Sequence, residues 1–154
     1  MLSKEERSEL NTRFWTGFKK TMNSHKSSNG RVINWLNYPS DVKGIYIRME
    51  VDTNFARLCF DIQFKDDGIR SLVWEQMGEL KKVLEATMQH ETFWIEHTIS
   101  RENFAFSRIC WELKGVSLYN NQDTEAIYSF LRSRIIEFDS FYQEFKDIII
   151  NLVH

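Results

Sequence analysis

Ile45-Tyr46-Ile47-Arg48-Met49-Glu50-Val51-Asp52, then Leu58-Cys59-Phe60-Asp61-Ile62-Gln63-Phe64-Lys65, decide the fold of this 154-residue chain. In both runs every second residue is apolar, the period of a strand with one face in a core and one in water. Ile45, Ile47, Met49 and Val51 share a face with Leu58, Phe60, Ile62 and Phe64, while Tyr46, Arg48, Glu50, Asp61 and Gln63 face the other way. A polar break near Thr53-Asn54 joins the runs as a hairpin.

Working outward, Asp66 and Asp67 are caps for a second helix whose stripe is Ile69, Leu72, Val73, Met77, Leu80, Leu84 and Met88, ending before Thr92. Phe93 to Ile99 and Phe104 to Lys114 read as another hairpin around Ser100-Arg101-Glu102-Asn103, closed by Gly115. From the cap candidates Asn121 and Asp123, apolar residues from Ile127 to Leu152 recur at helical spacing as one long helix, with Asp139-Ser140 the place where it would bend. Upstream, Ser3 and Glu6 form a capping box for a helix from about residue 4 to 24 carrying Leu10, Phe14, Trp15, Phe18 and Met22. His25 to Arg31 is a loop, and Val32 to Pro39 reads as a short edge strand. The order helix, hairpin, helix, hairpin, helix predicts one α+β domain over residues 1–154. Its antiparallel sheet has four or five strands, with three helices mainly on one face and the other face bare.

Composition narrows the function classes. An apolar content of 42% supports a continuous core, and a formal charge of −2 supplies no overall field toward nucleic acid or anionic lipid. No run reaches the roughly 18 to 20 apolar residues of a membrane span, and Met1 to Glu6 lacks a signal-peptide pattern, so a cytoplasmic protein is expected. Cys59 and Cys110 are isolated in sequence, without a C-x-x-C pair or histidine at metal spacing, which fits a reducing compartment and argues against a structural disulfide.

Several stretches together resemble the uncharacterised bacterial domain-of-unknown-function family numbered 4268. They are Phe14-Trp15 with Phe18, Ile33-Asn34-Trp35, Ile45-Tyr46-Ile47-Arg48-Met49, Glu112-Leu113 with Gly115-Val116-Ser117, and Arg134-Ile135-Ile136 with Asp139. The resemblance implies an α+β domain of no assigned activity, often found C-terminal to a restriction-endonuclease-like region. It carries no nuclease role onto any residue here.

The most enzyme-like string is Asp52 with Asp61-Ile62-Gln63-Phe64-Lys65, which matches the strand parity of metal-dependent nucleases. The hairpin register separates it: Asp52 falls at the turn and Lys65 at the far end, roughly 25 Å away at about 3.3 Å per residue. A cross-strand Arg48–Asp61 ion pair accounts for the charges more simply. His25, His90, His97 and His154 form no metal or triad spacing, and His97, the one histidine on a strand, reads as an imidazole bonded to a neighbour. The scattered glycines form no phosphate loop. Lys19, Lys20, Lys26 and Arg31 are expected to be solvated rather than bound to phosphate.

What remains is the polar sheet face, with Tyr46, Arg48, Glu50, Asp61 and Gln63 from the first hairpin and Trp94, Glu96, Arg108, Cys110 and Glu112 from the second. Glu96 and Arg108 are expected to stand opposite each other. The site residues expected for ligand or partner binding are therefore Tyr46, Arg48, Asp61, Trp94, Glu96, Arg108 and Glu112, with no catalytic residue, metal or cofactor. A non-catalytic interaction or accessory domain is the leading expectation. Its partner is unspecified: a protein or a second copy meeting the sheet face, with nucleic acid weakly supported and no membrane. The rivals are a metal-dependent hydrolase using Glu50, Asp61, Glu96 and Glu112, and a small-ligand binder with Trp35, Tyr46 or Trp94 in its pocket.

Overall fold

In the computed structural model, which describes residues 1–154, the chain is α+β. Four α-helices and four strands follow the order α1 (Lys4–Met22), β1 (Ile45–Val51), β2 (Phe55–Ile62), α2 (Asp67–Glu79), α3 (Lys81–Met88), β3 (Phe93–Ile99), β4 (Ala105–Lys114) and α4 (Thr124–Val153). The sheet order is β1-β2-β4-β3, antiparallel throughout, so the two hairpins meet along their β2 and β4 edges. The four strands lie within the expected four or five.

The N-terminal signals act as read. Ser3 Oγ accepts from the Glu6 amide and Glu6 Oε1 from the Ser3 amide, both at 3.1 Å, satisfying two donors that a helix start leaves open. Helix α1 buries Phe14, Phe18 and Met22.

Three details differ from the sequence reading. Val32 to Pro39 is not a strand: Asn34 Oδ1 accepts from the amides of Leu36 and Asn37, closing a short 3₁₀ turn over Trp35–Asn37. The Trp35 indole donates to the His25 carbonyl, and its ring is buried. The expected second helix is two, broken where the Leu80 amide reaches both the Gln76 and Met77 carbonyls. Gly78, a weak helix former, lies just before this break. Helix α4 runs through Asp139-Ser140 without interruption, and Asp139 turns inward.

That inward carboxylate is a staple. Asp139 accepts from Ser27 Oγ (2.7 Å), the Ser28 amide (2.7 Å) and Tyr38 Oη (2.6 Å), fixing the loop after α1 against α4. Tyr142 Oη adds a bond to the Ser40 carbonyl at 2.6 Å. One apolar cluster connects these elements: Leu58, Phe60 and Ile62 of β2 and Ile109 and Trp111 of β4 meet Phe138 and Tyr142 of α4 and Met77 and Leu84 of α2 and α3. All four helices lie on this side of the sheet. The opposite, outer face of β1, β2 and β4 carries no helix and is bordered by the turn between β3 and β4.

Candidate functional site

Strand parity sets the outer face. Tyr46, Arg48 and Glu50 of β1 stand beside Phe55, Arg57, Cys59 and Asp61 of β2, and these beside Phe106, Arg108, Cys110, Glu112 and Lys114 of β4. Asp61 lies at the centre, with its side chain 0% exposed. It accepts from Arg108 Nε at 2.7 Å and Arg108 Nη2 at 2.9 Å in a two-pronged pair, and from Arg48 Nη1 at 2.8 Å. Arg48 also bonds Gln63. The same Arg108 reaches both oxygens of Glu50 at 3.3 Å. Arg57 completes the chain, 3.5 Å from Glu50 and 3.4 Å from Glu112.

Each guanidinium also covers an aromatic ring two residues earlier on its own strand. Arg48 lies 4.5 Å from the Tyr46 ring centroid, Arg57 3.7 Å from Phe55 and Arg108 5.3 Å from Phe106. Rings and charges therefore alternate across the sheet, each cation between a carboxylate and a π face. Burial works against the charge of Arg108, but its hydrogen bonds to Asp61 and the nearby negative groups outweigh that and raise its pKa further. Its proton is never at issue.

The turn between β3 and β4 borders this face. Together they form a cleft of about 640 Å³ whose wall includes Arg48, Arg57, Asp61, Arg101, Phe104 and Arg108. Exposed Tyr46, Ile95 and Phe104 add apolar area around the charges.

The fold brings five of the seven expected site residues together: Tyr46, Arg48, Asp61, Arg108 and Glu112. It separates the other two. Trp94 is opposite Ile109, which puts it on the helix side, where its indole donates to Glu85 Oε1 at 3.2 Å and its ring meets Trp74 edge-on. Glu96 is not opposite Arg108, because Ile95 is. An irregularity between Ile95 and Thr98 displaces Glu96, whose carboxylate lies 3.5 Å from exposed His97. A bulge adds a residue to one strand, and that shift cannot be seen in an alternating pattern.

Of the three aromatic residues named for a small-ligand pocket, Trp35 lines a hollow beside Met22 and His25 and Tyr46 one along β1, while Trp94 packs on the helix face. The nuclease-like string is likewise pulled apart. Asp52 Oδ1 caps the Thr53 amide at the turn, while Gln63 bonds Gly44 at the other end of the hairpin. No group of three or more His, Cys, Asp and Glu side chains is arranged to hold a metal ion.

Arg57, Cys59, Phe55 and Phe106 escaped the sequence reading of this face. Arg57 and Phe55 lie before Leu58, where the alternation first becomes clear. A usable signal was the spacing aromatic, any residue, arginine, present at Tyr46-Ile47-Arg48, Phe55-Ala56-Arg57 and Phe106-Ser107-Arg108.

Residues 10–146 match the model of the family described as Domain of unknown function (DUF4268). The chain belongs to this family. The match includes all four strands and therefore the whole arginine–carboxylate face. No curated protein and no solved structure matches the chain.

Proposed function

We propose that this domain of the family is a non-catalytic recognition module that docks a protein partner on the outer sheet face. The supporting observation is the composition of that face: an arginine–carboxylate lattice, rimmed by exposed Tyr46, Ile95 and Phe104 and not covered by any helix. Arginine and aromatic side chains are the types that contribute most at protein interfaces, and rings held by neighbouring guanidiniums lose little freedom when a partner arrives.

The carboxylates themselves favour binding over hydrolysis. Asp61, Glu50 and Glu112 each face a guanidinium, so a metal ion would have to displace Arg48, Arg57 or Arg108 from them. The cleft is polar and partnered rather than poised for proton transfer. A role beside nucleic-acid-processing or defence proteins belongs to this reading through family context alone.

Site-specific photo-crosslinking in the cells of origin tests the proposal without naming the partner. A photoreactive residue replacing Tyr46 or Phe104 should give a discrete crosslinked protein, and one replacing Val83, exposed on α3 at the opposite side, should not. The absence of product from both Tyr46 and Phe104, or equal products from all three positions, would sink it.

A further inference from the structure

Cys59 and Cys110, distant in sequence, are direct Cα partners across β2 and β4. The hydrogen bond from the Gly115 amide to the Asn54 carbonyl fixes the phase of this ladder. Counting back from it, Ala56–Leu113 and Leu58–Trp111 are hydrogen-bonded pairs, and Arg57–Glu112, Cys59–Cys110 and Asp61–Arg108 are non-hydrogen-bonded ones. At such positions Cα atoms lie about 4.5 Å apart. A disulfide accepts roughly 4.4 to 6.8 Å, so the sheet already holds the two residues at bonding separation. Both side chains leave on the outer face, and both are free thiols.

We propose that Cys59 and Cys110 form a modification site, a dithiol that a small hydroperoxide converts reversibly into a cross-strand disulfide.

The two sulfurs have different surroundings. The neighbouring Cys59 thiol, with the charges of Arg108 and Arg57, lowers the pKa of Cys110 against the opposing effects of burial and Glu112. Burial keeps Cys59 protonated, with Glu50 Oε1 3.9 Å from its sulfur. Cys110, two residues from Arg108 on the same face of β4, is assigned as the nucleophile, and Cys59, whose thiol donates to Glu50 Oε1, as the resolving thiol. The Cys110 thiolate attacks one peroxide oxygen; the O–O bond breaks, and the departing hydroxide takes up a proton as water. Cys59 sulfur then attacks the sulfenic sulfur of Cys110, its proton leaving with the hydroxyl as a second water. Two thiols and one hydrogen peroxide give one disulfide and two waters; the sulfurs lose two electrons and the peroxide oxygens gain them.

Access is through side chains alone. Both thiols are buried, but the layer above them includes the Arg57 and Arg108 side chains, 22% and 13% exposed, with no helix on that side. The proposal requires the Arg57 side chain, held only at 3.5 Å by Glu50 and 3.4 Å by Glu112, to turn aside and admit the peroxide. The new bond would lie between the Arg57–Glu112 and Asp61–Arg108 pairs, within the face described above, yet the chemistry stands whether or not that face docks a partner.

The test is peroxide treatment of the reduced full chain, followed by alkylation in denaturant and peptide mapping. The expected product is a monomer lighter by two hydrogens, with the Cys59 and Cys110 peptides joined and separated again by dithiothreitol. Cys59→Ser should accumulate a dimedone-reactive sulfenic acid at Cys110, and Cys110→Ser should react at least tenfold more slowly than the parent. Full alkylation of both thiols after peroxide, or a disulfide found only between two chains, overturns the proposal. The peptide map of the parent chain decides this even if a variant fails to fold.

Discussion

Replacing Asp61 by alanine should destabilise the fold by about 3 kcal/mol, more than any other single charge removal on the outer face. The magnitude follows from what is left behind. Removing one partner of a buried ion pair costs roughly 3 to 5 kcal/mol, because the remaining charge stays desolvated. Two features put Asp61 near the lower limit. Arg48 is 39% exposed and can turn to water, and Arg108, although only 13% exposed, keeps both oxygens of Glu50 at 3.3 Å. For a domain of this length, about 2 to 4 °C per kcal/mol gives a fall in Tm of roughly 6 to 12 °C.

Urea unfolding of Asp61→Ala, Arg108→Met and the double variant measures the pair directly. The double variant should be more stable than the sum of the two losses by at least about 1 kcal/mol, since no buried guanidinium remains to be matched. The loss in Asp61→Ala should also persist in high salt, because a buried pair is screened little. An Asp61→Ala variant within about 0.5 kcal/mol of the parent would refute the reasoning, for that is the range of an ordinary surface substitution.

Asp139→Ala should cost about 3 kcal/mol, since Ser27 Oγ, the Ser28 amide and Tyr38 Oη all lose one acceptor; hydrogen exchange at Ser28 should rise before exchange in α4 does. Burial raises the pKa of Tyr38 and Tyr142, with Asp139 and Asp41 respectively adding to the shift. Both phenols stay protonated in the fold beyond their unfolded value of about 10, so their contribution is complete below that pH and declines as pH rises above it. Alkaline difference absorbance should then show these two tyrosinates forming only as the chain unfolds. Gly44→Ala should lose about 2 kcal/mol in urea, because φ is +103° there and a Cβ would lie 2.6 Å from the Phe64 ring.

How far the fold could be read depended on the range of the interaction in question. The Ser3–Glu6 cap, the alternation in β1 and β2, and the apolar stripe of α4 depend on neighbours within a few residues, and the structure follows each. Val32 to Pro39 went wrong because an Asn34 side chain, competing for backbone amides, outweighed a short apolar run. The break at Leu80 leaves the apolar stripe intact, so periodicity alone could not reveal it. Asp139 in an apolar run suggested a bend, when its partners were more than a hundred residues away in the loop it anchors.

The outer face shows the same division more sharply. Parity within one hairpin was enough to place Tyr46, Arg48 and Asp61 together. The position of Glu112 and Arg108 beside them depends on β2 pairing with β4, a long-range choice that alternation leaves open, and the position of Glu96 depends on a bulge. The register that makes Arg108 the central cation also makes Cys59 and Cys110 neighbours, so the two features are not independent. A slip of one residue between β2 and β4 would turn Arg108 and Cys110 into the core and remove both the ion lattice and the dithiol. Trp111 in a core lined by Phe138 opposes that slip, because it would bring the indole to the outer face. The helix-side packing thus holds in place whatever chemistry the outer face performs, and a core substitution such as Trp111→Ala should disturb the Cys59–Cys110 pairing from the opposite side of the sheet.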